Sequence, residues 1–341
     1  MRQGLLADAL DTLLACPVCH GTLKFEGPGD RQIRCLTCGS RYPVDDGIPV
    51  LLGGGGGAQN DEQAFRDALA TQHLDDGPQA LVRVATRHHC ESVMRKRAGE
   101  FYGQFEPSQW VLDLGVGFGW YWAGAAGAAK IVGVDLSMGN LRLAKKVLSA
   151  DEDKVLLICS DAGALPIRNH AIAGAWSVQV FQHFPQQVLS AVQGELDRVL
   201  SDEFSIELHN LNPAVLYRFA YFIAGKSFHR YGKIGSMERN CYTMKEWQAL
   251  WRCFRQGQAG MSGGYSELFF HPDLHLCARP YPLQLEECLA RLAPKFAALF
   301  ARQVQIRIKS RGLNPAAVRL AAGGGMPPEC ALVGSVGARP S

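Results

Sequence analysis

Five short apolar runs alternate with helical segments between Trp110 and Asn210, and this alternation limits the fold more than any other feature of the chain. The runs are WVLDLG, KIVGVDLS, KVLLICSD, GAWSVQVF and FSIELHN. Strands that alternate with helices are typical of a parallel sheet with helices on both faces. We therefore predict an α/β fold with a doubly wound sheet.

The first run leads into a glycine-rich loop. Asp113 is followed by Gly115, Gly117 and Gly119 at alternate positions. Glycines at the carboxyl edge of a sheet allow the backbone to approach a ligand closely. Trp120 stands where a dinucleotide fingerprint has its third glycine, so the pattern favours a ligand other than a pyrophosphate.

Two more aspartates follow the loop in order. Asp135 ends the second run, twenty residues after Gly115, where a carboxylate can accept both hydroxyls of a ribose. Asp161 and Ala162 end the third run, where a carboxylate can bind an adenine amine. A single aspartate at such a turn often only caps a helix. Three of them, each near a strand end, indicate a nucleoside site.

This ordered set, together with SVQVFQHF at the fourth strand, resembles the class I S-adenosylmethionine-dependent methyltransferases over about residues 85–310. The resemblance implies a Rossmann-like sheet of seven strands, the last antiparallel, with S-adenosylmethionine as cofactor. It implies that Asp113 and the glycine loop hold the methionine end, Asp135 the ribose, and Asp161 with the Ala162 amide the adenine. The cofactor-binding residues expected in all are Asp113, Gly115, Gly117, Gly119, Asp135, Leu136, Asp161, Ala162 and Ser177.

Two cysteine pairs stand near the N-terminus. Fifteen residues separate Cys16-x2-Cys19 from Cys35-x2-Cys38, which is in the range of four-cysteine zinc sites. Each pair sits on a tight turn that aims two thiolates at one point, and two turns complete a tetrahedron. No position is left open for water, so we predict a structural zinc ion. A module of about fifty residues buries little core, and the metal replaces it.

Residues 10–52, which end in YPVDDGIPVLL, resemble a short zinc-ribbon family best known as free-standing activators of methyltransferases. The resemblance suggests a partner fused to its enzyme. Such a module would cover apolar surface on the catalytic domain or contribute to the substrate entrance. The alternative is an appendage that only stabilises the chain.

The rest of the chain divides around these features. We expect a zinc-ribbon module at 1–52, a Gly-rich linker at 53–60, a helical lid or N-terminal extension at 61–108, the methyltransferase domain at 109–312 with a helical insertion at 211–252, and a disordered tail at 313–341.

Composition excludes some classes. The formal net charge is +3 over 341 residues, so overall charge makes no case for nucleic acid. No run reaches the ~20 apolar residues that a membrane span requires. The N-terminal stretch carries two aspartates and is predicted as an amphipathic helix rather than a secretory signal. Four of the eleven cysteines fit the metal spacing and the others are scattered, which favours a reducing, cytoplasmic setting.

Candidate catalytic and substrate residues follow the fourth and fifth strands. His183 is the first candidate for a general base near the methyl group, with a packed or surface histidine as the alternative. His209 and Asn210 close the fifth strand, and Glu207 shares a strand face with His209. We place His209 with the catalytic candidates and Glu207 and Asn210 on the substrate side.

These features favour methyl transfer to a small molecule, a lipid precursor or a glycan, on oxygen or nitrogen. The alternative is an RNA base methyltransferase that docks through the zinc ribbon, since basic residues cluster at 83–97. A catalytically silent cofactor-binding protein is a third possibility, which the intact glycine loop and aspartates disfavour.

Overall fold

The computed structural model describes residues 3–27, 29, 31–53, 63, 64, 67, 68, 70, 93–119, 127, 129–234, 237–268 and 283–311. Residues 54–60 of the predicted linker, most of the extension expected at 61–108 and the tail expected at 313–341 lie outside these ranges.

The N-terminal module consists of one helix and a small antiparallel sheet. The helix α1 spans Gln3–Thr12, and the strands are β1 (Leu23–Phe25), β2 (Gln32–Cys35), β3 (Arg41–Asp45) and β4 (Ile48–Pro49), in that order across the sheet. The helix confirms the interpretation of the N-terminal apolar stretch, since its leucines pack into the main core.

Seven strands form the main sheet, in the order β12-β13-β9-β8-β5-β6-β7. They are β5 (Trp110–Leu114), β6 (Lys130–Asp135), β7 (Val155–Cys159), β8 (Ile172–Val178), β9 (Leu200–Leu211), β12 (Ala259–Ser266) and β13 (Gln303–Ser310). Strands β5 to β9 are parallel, and β13 is antiparallel to β9. The predicted doubly wound sheet of seven strands with an antiparallel last strand is confirmed.

Helices cover both faces of this sheet. They are α2 (Arg95–Tyr102), α3 (Met138–Val147), α4 (Gln186–Val199), α5 (Val215–Ile223), α6 (Met244–Leu250), α7 (Leu283–Leu292) and α8 (Pro294–Phe300). Helices α2 and α3 pack on one face, and α1, α4 and α6 pack on the other. Among the residues that the structure describes, no helix has the length and apolar character to cross a bilayer.

The insertion differs from the sequence-based expectation. The sequence predicts two helices joined by a glycine-rich loop, and in the structure the stretch between the two helices forms a hairpin of β10 (Tyr231–Ile234) and β11 (Met237–Asn240). The two strands pair with each other, which satisfies their backbone hydrogen bonds. Helix α6 then begins with a capping box between Thr243 and Glu246.

The sequence also predicts a late strand at SELFFHP and one long helix from Pro282, and the structure differs at both. Strand β12 begins earlier, since it spans Ala259–Ser266 and pairs along its whole length with β13. The helix is divided in two, because Pro294 cannot donate a backbone hydrogen bond. Cys253 is disulfide-bonded, which its place among the scattered cysteines did not indicate.

Candidate functional site

The glycine loop after β5 takes a backbone path that only glycine follows easily. Gly115 and Gly119 have φ angles of 73° and 67°. A Cβ atom at Gly115 would lie 2.2 Å from Val180 Cγ2, and one at Gly119 would lie 2.6 Å from Leu148 Cδ1. Both positive φ and close packing therefore exclude side chains here.

Asp135, at the end of β6, holds this loop to the helix that follows. Its Oδ2 accepts a hydrogen bond from the Gly117 N–H at 2.9 Å, and its Oδ1 accepts one from the Ser137 N–H at 2.9 Å. Its Oδ1 also accepts a hydrogen bond from the Asn140 side chain at 3.3 Å, so the carboxylate has a fixed orientation in the cavity lining. Ser137 in turn caps α3 through the Asn140 N–H.

Asp161 stands just beyond β7 in a tight turn. Its Oδ1 accepts a hydrogen bond from the Gly163 N–H at 2.9 Å, which orients the carboxylate. Ala162 is next to it, and the backbone of Ser160 is tied to Asp135 because the Ser160 N–H donates to the Asp135 carbonyl at 3.0 Å. The ends of β6 and β7 thus form one surface.

A cavity of about 320 Å³ opens at this carboxyl edge. The predicted cofactor residues that line it are Gly115, Gly117, Asp135, Leu136, Asp161 and Ala162, and His183 lines it as well. Asp113, Gly119 and Ser177 do not. Burial and the neighbouring Asp113 raise the pKa of Tyr102, and Ser177 Oγ donates to the Leu114 carbonyl at 2.8 Å. Ser177 thus holds Leu114, which lines the cavity, and Asp113 lies next to Tyr102.

The four cysteines of the N-terminal module converge as their spacing predicts. The Sγ atoms of all four lie within 4.8 Å of one another, with 3.7 Å between Cys16 and Cys38 and 3.5 Å between Cys19 and Cys35. Zinc bound by four thiolates at ~2.3 Å places the sulfurs ~3.8 Å apart. The cluster therefore fits a structural zinc ion.

The module contacts the cofactor edge of the sheet directly. Val50 forms a parallel bridge with Cys159, the last residue of β7, and the Leu51 N–H donates to the Cys159 carbonyl at 2.8 Å. This contact lies two residues before Asp161. Burial raises the pKa of the Cys159 thiol to about 12, so it stays protonated beneath the module.

Two ion pairs extend the contact to the helix after Asp135. Arg142 and Lys145 on α3 pair with Asp45 at 2.6 Å and with Asp46 at 2.7 Å. On the other side of the module, Leu14 bridges to Ile167. The module therefore holds both of the strand ends that carry Asp135 and Asp161.

At the opposite end of the cavity, His183 is held by the hairpin of the insertion. Its Nδ1–H donates to the Glu238 carbonyl on β11 at 2.6 Å. This bond assigns the proton to Nδ1 and leaves Nε2 as the basic nitrogen. Gln182 Nε2 lies 3.3 Å from that nitrogen and donates to it, while Gln182 Oε1 accepts from the Leu211 N–H at 2.8 Å.

Comparison with known proteins assigns both parts of the chain. Residues 111–203 match the family described as "Methyltransferase domain". The N-terminal segment is 50% identical over 40 residues to a UPF0434 protein of Erwinia tasmaniensis and 48% identical over 40 residues to one of Shewanella pealeana. The chain thus joins a UPF0434-family segment to an S-adenosylmethionine-dependent methyltransferase domain. Each UPF0434 match covers 12% of this chain, and covers 65% and 68% of the respective relatives.

A solved geranyl diphosphate C-methyltransferase from Streptomyces coelicolor A3(2) is also similar to the methyltransferase. It is 13% identical, with a TM-score of 0.47, and the match covers 76% of this chain and 99% of the solved one.

The residues of the cavity fit S-adenosylmethionine. Asp135 and Asp161 offer carboxylates for hydroxyl and amine groups, and the backbone at Gly117 leaves open space where a side chain would stand. The Leu136 and Ala162 side chains supply apolar surface between the two carboxylates.

The other residues predicted for catalysis or substrate binding, His209, Glu207 and Asn210, do not line the cavity. His209 is fully buried, and its Nε2–H donates to Glu207 Oε1 at 3.0 Å. Burial lowers the pKa of His209, so the ring is neutral. Burial alone would raise the pKa of Glu207, but His209 and Arg307 outweigh it and lower this pKa to about 2. Asn210 is also buried, with its side chain turned into the protein.

Gln179 lines the cavity and was not singled out from the sequence. It follows β8 with a φ of 58°, which is rare for a residue other than glycine. The orientation of the Gln179 side-chain amide follows from its hydrogen-bond partners. In that orientation its oxygen accepts from Gln303 Nε2 at 2.8 Å and from Arg302 Nη1 at 2.9 Å. The sequence signal was its place in SVQVFQHF, but a positive φ at glutamine is not readable from sequence.

Proposed function

We propose that this methyltransferase transfers a methyl group to a hydroxyl or amine of a small molecule, a lipid precursor or a glycan. The observation that carries the proposal is the fixed tautomer of His183 in the cavity lining. A histidine whose Nδ1–H is held by a carbonyl presents Nε2 as a proton acceptor, which is the arrangement that a general base requires.

The proposed reaction is a direct displacement, so the protein aligns the reactants and forms no covalent bond to them. S-Adenosylmethionine, when bound, supplies an electrophilic methyl group on a sulfonium. Asp135 and Asp161 orient the nucleoside, and alignment of this kind is worth ~7–11 kcal/mol of a barrier. His183 Nε2 accepts the proton of the acceptor group after that group displaces the Gln182 amide from this nitrogen, and the Glu238 carbonyl holds the ring in place as it becomes charged.

The hairpin of the insertion supports a compact acceptor. Strand β11 packs over the turn that carries His183, and the Asn240 side chain donates to the Phe184 carbonyl at 3.2 Å. Phe184 also lines the cavity. The insertion therefore holds two residues of the cavity wall, and a cavity of about 320 Å³ has room for a small group rather than for a folded nucleic acid.

Ion pairs within the protein also favour a small acceptor over RNA. The part of the basic cluster at 83–97 that the structure describes includes Lys96, which pairs with Glu287 at 3.2 Å, and Arg97, which pairs with Glu286 at 2.7 Å. Further along the chain, Arg307 pairs with Glu207 at 2.9 Å. Arg97 is buried in its pair and is not available to bind phosphate, and the exposed cations in this described stretch are Arg95 and Lys96.

The first test is transfer of labelled methyl groups into a cell extract that is then separated into RNA, lipid and glycan, and small molecules. We expect label in a low-mass, lipid or glycan fraction. Label in RNA alone would contradict the proposal.

With the acceptor in hand, His183→Gln should lower kcat ~10²–10⁴-fold at unchanged thermal stability, because the variant removes the base and keeps a polar side chain. His170→Asn is the matched control, since His170 is an exposed histidine at the other end of β8. Equal loss in both variants would argue against a role for His183 as base.

A further inference from the structure

Helix α5 turns an apolar face to solvent. Val215, Leu216, Phe219, Phe222 and Ile223 are all exposed, and Phe222 and Ile223 expose 78% and 70% of their surface. These positions repeat at the spacing of a single helix face. The opposite side holds Tyr221, which is buried against the protein. The helix is therefore amphipathic with its apolar face outward, the reverse of a helix that packs on a core.

Helix α8 extends this face. Phe296 and Leu299 of α8 are exposed, and so is Leu292 at the end of α7. The two helices pack side by side, because the Asn212 side chain just before α5 donates to the Ala298 and Ala301 carbonyls at 3.2 and 2.9 Å. We call the eight exposed residues of α5, α8 and Leu292 the apolar patch.

Only basic charges surround the apolar patch along the chain. Residues 213–230 and 288–302 contain no aspartate or glutamate. They contain Arg218, Lys226, Arg291 and Lys295, all of them exposed. Large exposed apolar surfaces on soluble domains mark interaction sites. Such a surface would place apolar side chains against hydrocarbon and the arginine and lysine side chains against a layer of negative charge above it.

We propose that the apolar patch binds the surface of an anionic lipid bilayer. Helix α5 has nine residues, or about 13 Å, so it lies in the plane of the interface and does not cross it. Phe219, Phe222 and Ile223 enter the acyl boundary, and Arg218 and Lys295 meet the lipid phosphates. This binding goes beyond the proposed methyl transfer and does not depend on its acceptor.

Flotation of the full-length protein with vesicles tests the proposal. Vesicles of phosphatidylcholine alone are compared with vesicles that contain about 30% phosphatidylglycerol, at low and high salt. We expect at least 10-fold more protein on the anionic vesicles at low salt, and a marked loss of binding at high salt.

The deciding variant is Phe222→Ser with Ile223→Ser, because both side chains are exposed and the fold does not depend on them. It should lower vesicle binding at least 10-fold. The matched control is Val18→Ser with Leu36→Ser, which removes two exposed apolar residues from the zinc module and should bind as the unmodified protein does. Arg218→Ser with Lys295→Ser should remove the preference for anionic vesicles.

Three outcomes would overturn the proposal. The first is no flotation of the unmodified protein, and the second is equal flotation of the Phe222 and Ile223 variant. The third is a dimer in analytical ultracentrifugation that this variant converts to a monomer, which would assign the apolar patch to a second copy of the chain.

Discussion

The two ends of the cavity are supported in different ways. At the cofactor end, the zinc module pairs with the backbone of β7 and forms surface ion pairs with α3. At the end where we propose that the acceptor binds, Gln179 of the cavity lining contacts Arg302, and two linked ion pairs lie behind it, Arg302 with Glu267 and Arg97 with Glu286. The cofactor end is thus stabilised from outside by one small unit, whereas the acceptor end is stabilised from within by individual charges.

Because the zinc module supports the cofactor end, we expect loss of zinc to weaken cofactor binding. Removal of zinc with a chelator, or Cys38→Ser, should unfold the module, because structural zinc supplies ~10–16 kcal/mol of apparent folding free energy. Without Val50 and Leu51 on β7, we expect the Kd for S-adenosylmethionine to rise at least 10-fold in calorimetry.

Cys38 is exposed, so its substitution removes a metal ligand and little packing. Cys288→Ser is the matched control, since this unpaired cysteine lies outside the cluster and should leave both zinc content and affinity unchanged. Unchanged cofactor affinity in the zinc-free protein would mean that the module is only an appendage.

At the acceptor end, the largest effect is expected from Arg97→Met. The variant leaves Glu286 buried without its cation, and such a change costs ~3–5 kcal/mol of the free energy of unfolding. Urea denaturation measures this loss. Lys96→Met is the control from the same helix turn, because its pair with Glu287 is exposed and is worth ~0–1 kcal/mol.

A second substitution sharpens this test. Glu286 also accepts hydrogen bonds from the backbone N–H groups of Glu267 and Leu268. Glu286→Gln keeps an acceptor for one of these two groups and removes the buried charge, so adding it to Arg97→Met should restore part of the lost stability. Additive losses would show that the ion pair is not the source of the effect.

A smaller effect, dependent on pH, is expected at Glu207. Its folded pKa of about 2 lies below the ordinary value of 4.5, so it contributes stability above pH 4.5 that is lost as the pH falls towards 2. From pH 7 to pH 4 the unmodified protein should lose about 1 kcal/mol from this group.

Glu207→Gln should remove that part of the pH dependence and lower stability at pH 7, which unfolding curves at several pH values measure. Glu203→Gln on the exposed part of the same strand serves as control. A parallel pH profile for both variants would contradict the assignment.

The cofactor end was predictable from sequence because each of its groups is local. Asp135 and Asp161 follow their own strands by at most two residues, so recognising the strand also places the carboxylate. The four cysteines were predictable for the same reason, since each pair belongs to one turn.

The acceptor end was not predictable because its contacts join distant residues. Arg97 and Glu286 are 189 positions apart, and Glu207 and Arg307 are 100 apart. The tautomer of His183 depends on a carbonyl of a hairpin that the sequence presented as a glycine-rich loop. Such features follow from tertiary packing, which periodicity and spacing do not encode.

The zinc module that contacts β7 belongs to the same chain as the methyltransferase domain. A separate partner would occupy β7 only to the extent that its concentration exceeds its Kd. Attachment in one chain instead keeps the module beside β7 at an effective concentration that dilution does not change. Occupancy of β7 by the module is therefore independent of how much protein is present.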